Sequence, residues 1–341
     1  MNQQVTAEQK SGTDVPDLNT TTEWAETIAA LKKRSFKMRL LIGLFQWLAN
    51  LGTPARLRVG AFLTHVTTLL ARRRVKIAKR NIDLCFPELS EQARAQIVRD
   101  HLRAFTQSFI DRSVFWFGTA DQVCELIVCK GHERMPDLLA KHGSIMLLAP
   151  HFIGLDAAAT RLTYFSPEGA TIYSPQRDPD IDALVRLGRA RFHAVHLVSR
   201  KEGFRALLRY INQGVPIYYL PDMDFGRTGS VFVPFFGVQA ATQTATAQIA
   251  RKWKLPVLPV YSQWDPKTGR YDVEVGAPLE DFPNLPKSNA PDTSQELDDS
   301  IEAATARLNQ HIESWVRRCP SQYYWVHRRF KTRPEGEPKF Y

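Results

Sequence analysis

The strongest constraint on this chain is the alternation, beyond Asp83, of short apolar or β-branched runs with segments of helical period. The runs fall at Glu125–Cys129, Ser144–Ala149, Thr171–Tyr173, Val195–Val198, Ile217–Leu220, Val257–Tyr261 and Tyr271–Val275. Helical spacing occupies most of the gaps, as in Ile181–Phe192, Gly203–Gln213 and Thr242–Trp253. Short apolar runs bounded by turn residues read as strands covered on both faces. Strands separated by helices pair in parallel through crossover connections. The pattern therefore predicts an α/β fold with a mainly parallel central sheet flanked by helices. With 341 residues, 44% of them hydrophobic, the chain can bury one large core or two modest ones. No internal repeat interrupts it. Phe282 to Ser294 reads as a Pro-rich loop leading into a final helix, about Gln295 to Arg318.

The segment ahead of this domain has a different character. Residues 1–22 are polar, lack aromatics and read as a disordered tail. They carry no secretory signal, because no apolar core follows a charged start. Residues 23–82 read as a basic, membrane-associating helical region, and 83–341 as the α/β domain. Between Lys32 and Arg80 stand thirteen Lys or Arg residues and no Asp or Glu, against a net charge of +10 for the whole chain. Leu40–Leu51 is an apolar run closed by Gly52-Thr53-Pro54. Leu57–Ala71 sets Val59, Phe62, Leu63, Val66, Leu69 and Leu70 at helical spacing. Neither run reaches the roughly 18–20 apolar residues a bilayer span needs, although a short tilted span by Leu40–Leu51 stays open. Bases and aromatics at their flanks fit helices lying in a membrane interface. The plainer alternative is a pair of core helices with a solvated basic face. Positive charge calls for anionic partners, namely acidic lipids, phosphorylated substrates, an acidic carrier protein or nucleic acid. Nucleic acid is disfavoured, since the bases alternate with a broad apolar stripe rather than with isolated stacking aromatics. Four cysteines at spacings that fit neither zinc nor a disulfide framework read as reduced thiols, which suits a cytosol-facing protein.

Several chemistries are excluded by missing motifs. There is no GxGxxG turn, no Walker A loop, no HExxH and no GxSxG elbow. What remains is an HxxxxD arrangement, present twice: His151 to Asp156 and His132 to Asp137. His151 follows Ser144–Pro150, a buried strand ending in a turn, and so stands where α/β proteins place ligands. His132 lies among charged residues in a segment broken by Pro136 and reads as a polar turn. Five residues along a helix turn through about 140°, so His151 and Asp156 share no regular helical face. They meet only if His151 is on the loop and Asp156 reaches back from the first helical turn. A neutral imidazole oriented by a carboxylate can take the proton of an alcohol that attacks a thioester. Against this stands a satisfied structural histidine.

HxxxxD after a strand is similar to the signature of the glycerolipid acyltransferases. Three further segments narrow the likeness: Leu220-Pro221-Asp222-Met223-Asp224-Phe225-Gly226, Ser230-Val231-Phe232-Val233-Pro234-Phe235-Phe236-Gly237, and His327-Arg328-Arg329-Phe330-Lys331-Thr332-Arg333-Pro334. From about Phe36 to Tyr341 the chain resembles the late acyltransferases of lipid A synthesis, the lauroyl/myristoyl acyltransferase family. The resemblance implies an enzyme on the cytoplasmic side of the cell inner membrane that needs no cofactor or metal. It would move a fatty acyl chain from acyl carrier protein to a hydroxyacyl chain of a Kdo-bearing lipid IVA precursor. His151 would be the base and Asp156 its orienter.

Other positions are open to more than one role. The family leads one to expect a Tyr-Arg-Pro-like stretch after the next strand. This chain reads Tyr173-Ser174-Pro175-Gln176-Arg177, which leaves Arg177 as a phosphate-contact candidate. Asp222 and Asp224 follow an apolar strand and either anchor substrate hydroxyls or arrange a turn; a metal reading lacks a third ligand. Arg328 and Arg329 fit phosphate binding near a membrane, or a solvated snorkelling surface. Two rivals remain: a glycerolipid or ornithine-lipid acyltransferase, and a non-catalytic basic protein that coats membranes.

Overall fold

A computed structural model describes residues 17–199, 202, 204–285 and 299–341. Four helices open it: α1 (Thr22–Arg34), α2 (Phe36–Ala49), α3 (Thr53–Leu70) and α4 (Arg72–Cys85). Side chains set their starts. Thr21 accepts from Trp24 N at the head of α1, Ser35 accepts from Met38 N at the head of α2, and Pro54 opens α3. Most of the expected tail, residues 1–16, lies outside the described residues. Residues 17–22, which the composition assigns to that tail, are ordered instead. Leu18–Thr20 form one 3-10 turn, and Asp17 pairs with the fully buried guanidinium of Arg191 at 2.6 Å. The buried cation needs that carboxylate, and the pairing fixes the segment.

The 14 residues of α2 rise about 21 Å, short of the roughly 30 Å of a bilayer core. Among the described residues no helix is long and apolar enough to cross a membrane. The open possibility of a tilted span by Leu40–Leu51 therefore gives way to a helix laid on the protein. All four helices gather on or beside the long α5 (Glu91–Phe117), and Met38 and Ile42 of α2 enter the same apolar cluster as Leu147 and Ala149 at the centre of the sheet. The helical region and the sheet thus share a core.

The α/β part continues through α6 (Ala120–Leu126), β1 (Ile127–Lys130), α7 (Met135–His142), β2 (Met146–Leu148), α8 (Leu155–Leu162), β3 (Glu168–Tyr173), α9 (Pro179–Arg189) and β4 (Ala194–Ser199). It then runs through α10 (Phe204–Asn212), β5 (Ile217–Tyr219), β6 (Ser230–Phe235), β7 (Val238–Gln243), α11 (Ala245–Lys252), β8 (Val257–Trp264), β9 (Tyr271–Val275) and α12 (Ile301–Arg318). Seven strands form one sheet in the order β1-β9-β8-β2-β5-β3-β4. Every pairing is parallel except β8 with β9. The mainly parallel sheet expected from the sequence is present, each of its strands overlapping one of the predicted runs. β2 is central, flanked by β5 and β8, and the chain leaves it to build β3 on the far side of β5. Open parallel sheets bind ligands outside the carboxyl ends of strands at such a reversal.

Two local expectations fail for identifiable reasons. β6 and β7 make a separate antiparallel hairpin, closed by Phe236 and Gly237 at φ 52° and 73°. Both positive values suit the mirror-image turn that right-twisted strands require. Phe236 is held there by its N–H, which donates to Glu313 Oε2 at 2.7 Å. The helix expected from Thr242 therefore begins only at Ala245, because Thr242 pairs with Val231 across the hairpin. Of the Pro-rich loop and the start of the last helix, residues 286–298 lie outside the described residues. The described helix begins at Ile301, capped by Ser300.

Candidate active site

The site grows from the carboxyl end of β2. After Pro150 the backbone turns tightly, Phe152 N donating back to Pro150 O at 2.6 Å. The C-terminal segment locks this turn from outside: Ile153 N donates to Gln322 O at 2.7 Å, and Tyr324 N donates to His151 O at 2.9 Å. His151 is thereby fixed on both sides. Its Nδ1 lies 2.6 Å from Asp222 Oδ1, and its own backbone N–H donates to Asp222 Oδ2 at 2.9 Å. A carboxylate can only accept, so Nδ1 carries a proton and donates it to Asp222. Asp222 is buried. Burial alone would raise its pKa, but the charge and hydrogen bonds of His151, with the Tyr323 hydroxyl, hold it below the usual carboxylate value.

Asp156 is elsewhere. It stands in the first turn of α8, as expected, but its carboxylate faces two arginines. Arg112 Nη2 of α5 lies 2.6 Å from Oδ2, and Arg189 Nη2, at the end of α9, lies 2.9 Å from Oδ1. Burial pushes its pKa up, and the two guanidinium groups outweigh that and bring it down to about 2. The carboxylate that meets the His151 ring is therefore Asp222, not Asp156. The five-residue spacing turns Asp156 toward α5 and α9.

His151 and Asp156 with its two arginines line one cavity of about 480 Å³, together with Phe105, Phe109, Ser174, Met223 and Tyr324. A second, apolar cavity of about 110 Å³ runs behind it between α8 and the sheet, bounded by Trp116, Leu147, Ala159, Leu162, Gly169 and Leu197. Leu155, Asp156, Ile172, Arg189 and Leu220 line both. The chamber holding the histidine thus shares a wall with a greasy slot.

The remaining expected residues divide. Asp224 is buried and fully occupied, accepting from Thr332 N at 2.6 Å, Thr332 Oγ1 at 2.7 Å and Gly226 N at 3.0 Å. Its own N–H donates to His327 Nε2 at 3.2 Å. Arg329 is also buried; it donates to Ala241 O and Thr242 Oγ1, both at 2.9 Å, and so braces β7. Neither lines the cavity, and the substrate contacts expected of them give way to fastening the C-terminal segment onto the hairpin. Arg328 is half-buried with its guanidinium 5.7 Å from the Tyr341 ring, and Arg177 is exposed; neither lines the cavity. His132 stacks on Phe165, away from the site. Arg112 and Arg189 were not singled out from the sequence, where nothing distinguishes them from other helical arginines.

A buried carboxylate held against an imidazole, beside an apolar slot, is an arrangement suited to transferring a group that carries a hydrocarbon chain. Residues 26–332 match the profile of the bacterial lipid A biosynthesis acyltransferases. The chain is 33% identical over 314 residues to the lipid A biosynthesis lauroyltransferase of Escherichia coli (strain K12), covering 92% of this chain and 97% of that one. It is 27% identical over 297 residues to the lipid A biosynthesis palmitoleoyltransferase of the same strain, covering 86% and 91%. To the myristoyltransferase of that strain it is 28% identical over 284 residues, covering 83% and 82%. The chain belongs to the bacterial lipid A biosynthesis acyltransferases. It is an acyltransferase of that pathway, and the non-catalytic alternative falls away.

Proposed function

We propose that this enzyme transfers a fatty acyl chain of lauroyl or myristoyl type from acyl carrier protein to the hydroxyl of a hydroxyacyl chain on a Kdo-bearing lipid IVA precursor. His151 acts as general base through Nε2. Asp222 holds the tautomer and steadies the imidazolium that forms. The observation carrying this reading is the 2.6 Å contact between His151 Nδ1 and Asp222 Oδ1, beside a cavity that shares lining residues with an apolar slot. The slot takes the acyl chain, whose burial is favourable by about 0.8 kcal/mol per methylene.

The enzyme works at the cytoplasmic face of the inner membrane. Support comes from α2, whose buried face is Met38 and Ile42 while Phe36, Leu40, Leu44 and Trp47 form an uncovered stripe on its other side. Phe62, Leu69 and Leu70 of α3 are also exposed, Leu70 at 81% and separated by one residue from Arg72, Arg73 and Arg74. Apolar side chains entering the acyl region beside bases at the headgroups are how an interfacial helix binds anionic lipid.

The test is mass spectrometry of lipid A from cells with the wild-type gene, without it, and with His151→Ala. The first should carry one fatty acyl group more than the other two, and the mass difference gives the chain length. Identical lipid A in all three overturns the proposal.

A further inference from the structure

We propose that Arg112 and Arg189 are the groups that receive the oxyanion formed during transfer, and that Asp156 is the positioning residue that fixes them. This rests on the acyl-transfer reading above.

The charge distribution of the cavity points to it. Among the described residues lining the chamber, Arg112 and Arg189 are the cations and Asp156 is the carboxylate. The Arg112–Asp156–Arg189 group therefore carries one net positive charge, on a wall that also includes Phe105, Phe109, Phe152, Leu155 and Ile172. Each arginine uses one N–H on Asp156, at 2.6 and 2.9 Å. A guanidinium has five N–H donors, and no other protein acceptor takes those that remain among the described residues. Aromatic rings hold the planes: Arg112 lies 4.4 Å from the Phe109 centroid and Arg189 lies 5.4 Å from that of Tyr173. Asp156 stays ionised throughout the range in which the enzyme can work, since its pKa falls to about 2. The arginines are therefore fixed before substrate binds, as stabilisation of a developing charge requires.

The step balances as follows. The acceptor hydroxyl oxygen adds to the thioester carbonyl carbon while its proton passes to His151 Nε2. The carbonyl π pair moves onto oxygen, whose new negative charge meets the one surplus positive charge of the Arg112–Asp156–Arg189 group. Collapse restores C=O, breaks the C–S bond and returns the proton from Nε2 to the departing sulfur as a thiol. Asp156 touches neither reacting atom in this scheme.

The experiment is steady-state kinetics of the purified full chain with lauroyl-acyl carrier protein and Kdo-bearing lipid IVA. Wild-type turnover checks the acyl-transfer reading by itself; without it, that reading fails rather than this one. Arg112→Ala should lose about 10²-fold in kcat, with KM for both substrates within about threefold of wild type. Arg112→Lys keeps a charge, serves as the variant least able to disturb folding, and should recover part of the loss. Ser174 lines the same chamber from the end of β3, so Arg112→Ala with Ser174→Arg returns a cation from another wall and should regain about tenfold in kcat. An Arg112→Ala enzyme with wild-type kcat overturns the proposal. So does a loss confined to KM, which makes the pair a ground-state substrate clamp. A double variant as slow as Arg112→Ala also overturns it, because cavity charge would then not be what Arg112 supplies.

Discussion

His151 and Asp222 stand at matching places past one register pair of two neighbouring parallel strands. Leu148 of β2 lies opposite Tyr219 of β5, and each functional residue comes three positions further along its own strand. Parallel strands advance together, so equal offsets deliver the two side chains to the same edge at the same height. The carboxylate then bonds both to the ring and to the backbone N–H of one residue, which leaves the imidazole little freedom to turn. Orientation of the imidazole comes from sheet register rather than from the helix after it.

Two asparagine variants separate these geometries. Asp222→Asn keeps the shape but can present an N–H to Nδ1 and stabilise the wrong tautomer, so kcat should fall by about 10³–10⁴-fold. Asp156→Asn leaves that contact intact and should be clearly milder, acting through the arginines alone. Transfer kinetics on both purified variants decide the matter. A larger loss in Asp156→Asn than in Asp222→Asn would return the orienting role to the HxxxxD aspartate.

Much of the fold was legible because buried parallel strands are short apolar runs, and β9 falls at Tyr271–Val275 as expected. The β6–β7 hairpin was not, since its turn is Phe236-Gly237 rather than a pair of small polar residues. Within the site, His151 could be placed from the strand that precedes it. Its partner could not, because Asp222 is 71 residues away and strand order is invisible in one sequence. Arg329 misled for the opposite reason. An arginine in a basic cluster looks solvated, yet this one is buried against the carbonyl of Ala241.

Chain length should follow from the slot behind Asp156. Ala159 of α8 lines it together with the β3 residues Gly169 and Ala170. Ala159→Phe fills that space with a ring, so the variant should turn over shorter acyl donors and lose about tenfold or more on the longest one accepted by wild type, the cost of several unburied methylenes. Competition between acyl carrier proteins bearing chains of different length, read by mass spectrometry of the product, checks this. An unchanged preference would put the acyl chain somewhere else.

Membrane attachment should depend on the uncovered stripe of α2. Leu40 and Leu44 face away from the core, so replacing both with serine leaves folding stability within about 0.5 kcal/mol. Each leucine that enters a bilayer contributes about 1.5 kcal/mol. The double variant should therefore bind vesicles containing anionic lipid at least about tenfold more weakly in a sedimentation assay. Equal binding by wild type and variant would show that this stripe meets something other than lipid.

Acid should destabilise the protein through His101, a buried residue of α5 that faces Ser321 O at 3.0 Å. Burial disfavours its charged form and lowers its pKa to about 4 from the ordinary 6.5. Between those values the unfolded chain holds a proton that the folded chain refuses, so stability falls as pH drops through this window and is unaffected well above it. Asp111 acts in the opposite sense, because burial lifts its carboxyl to about 6 and the folded chain protonates there first. Comparing wild type with His101→Asn cancels that contribution, since both carry Asp111. The histidine alone should account for about 2 kcal/mol between pH 7 and pH 5. Urea unfolding at the two pH values should show wild type losing that much more stability than the variant, whatever their difference at pH 7. Parallel losses would mean that the imidazole is already protonated in the folded core.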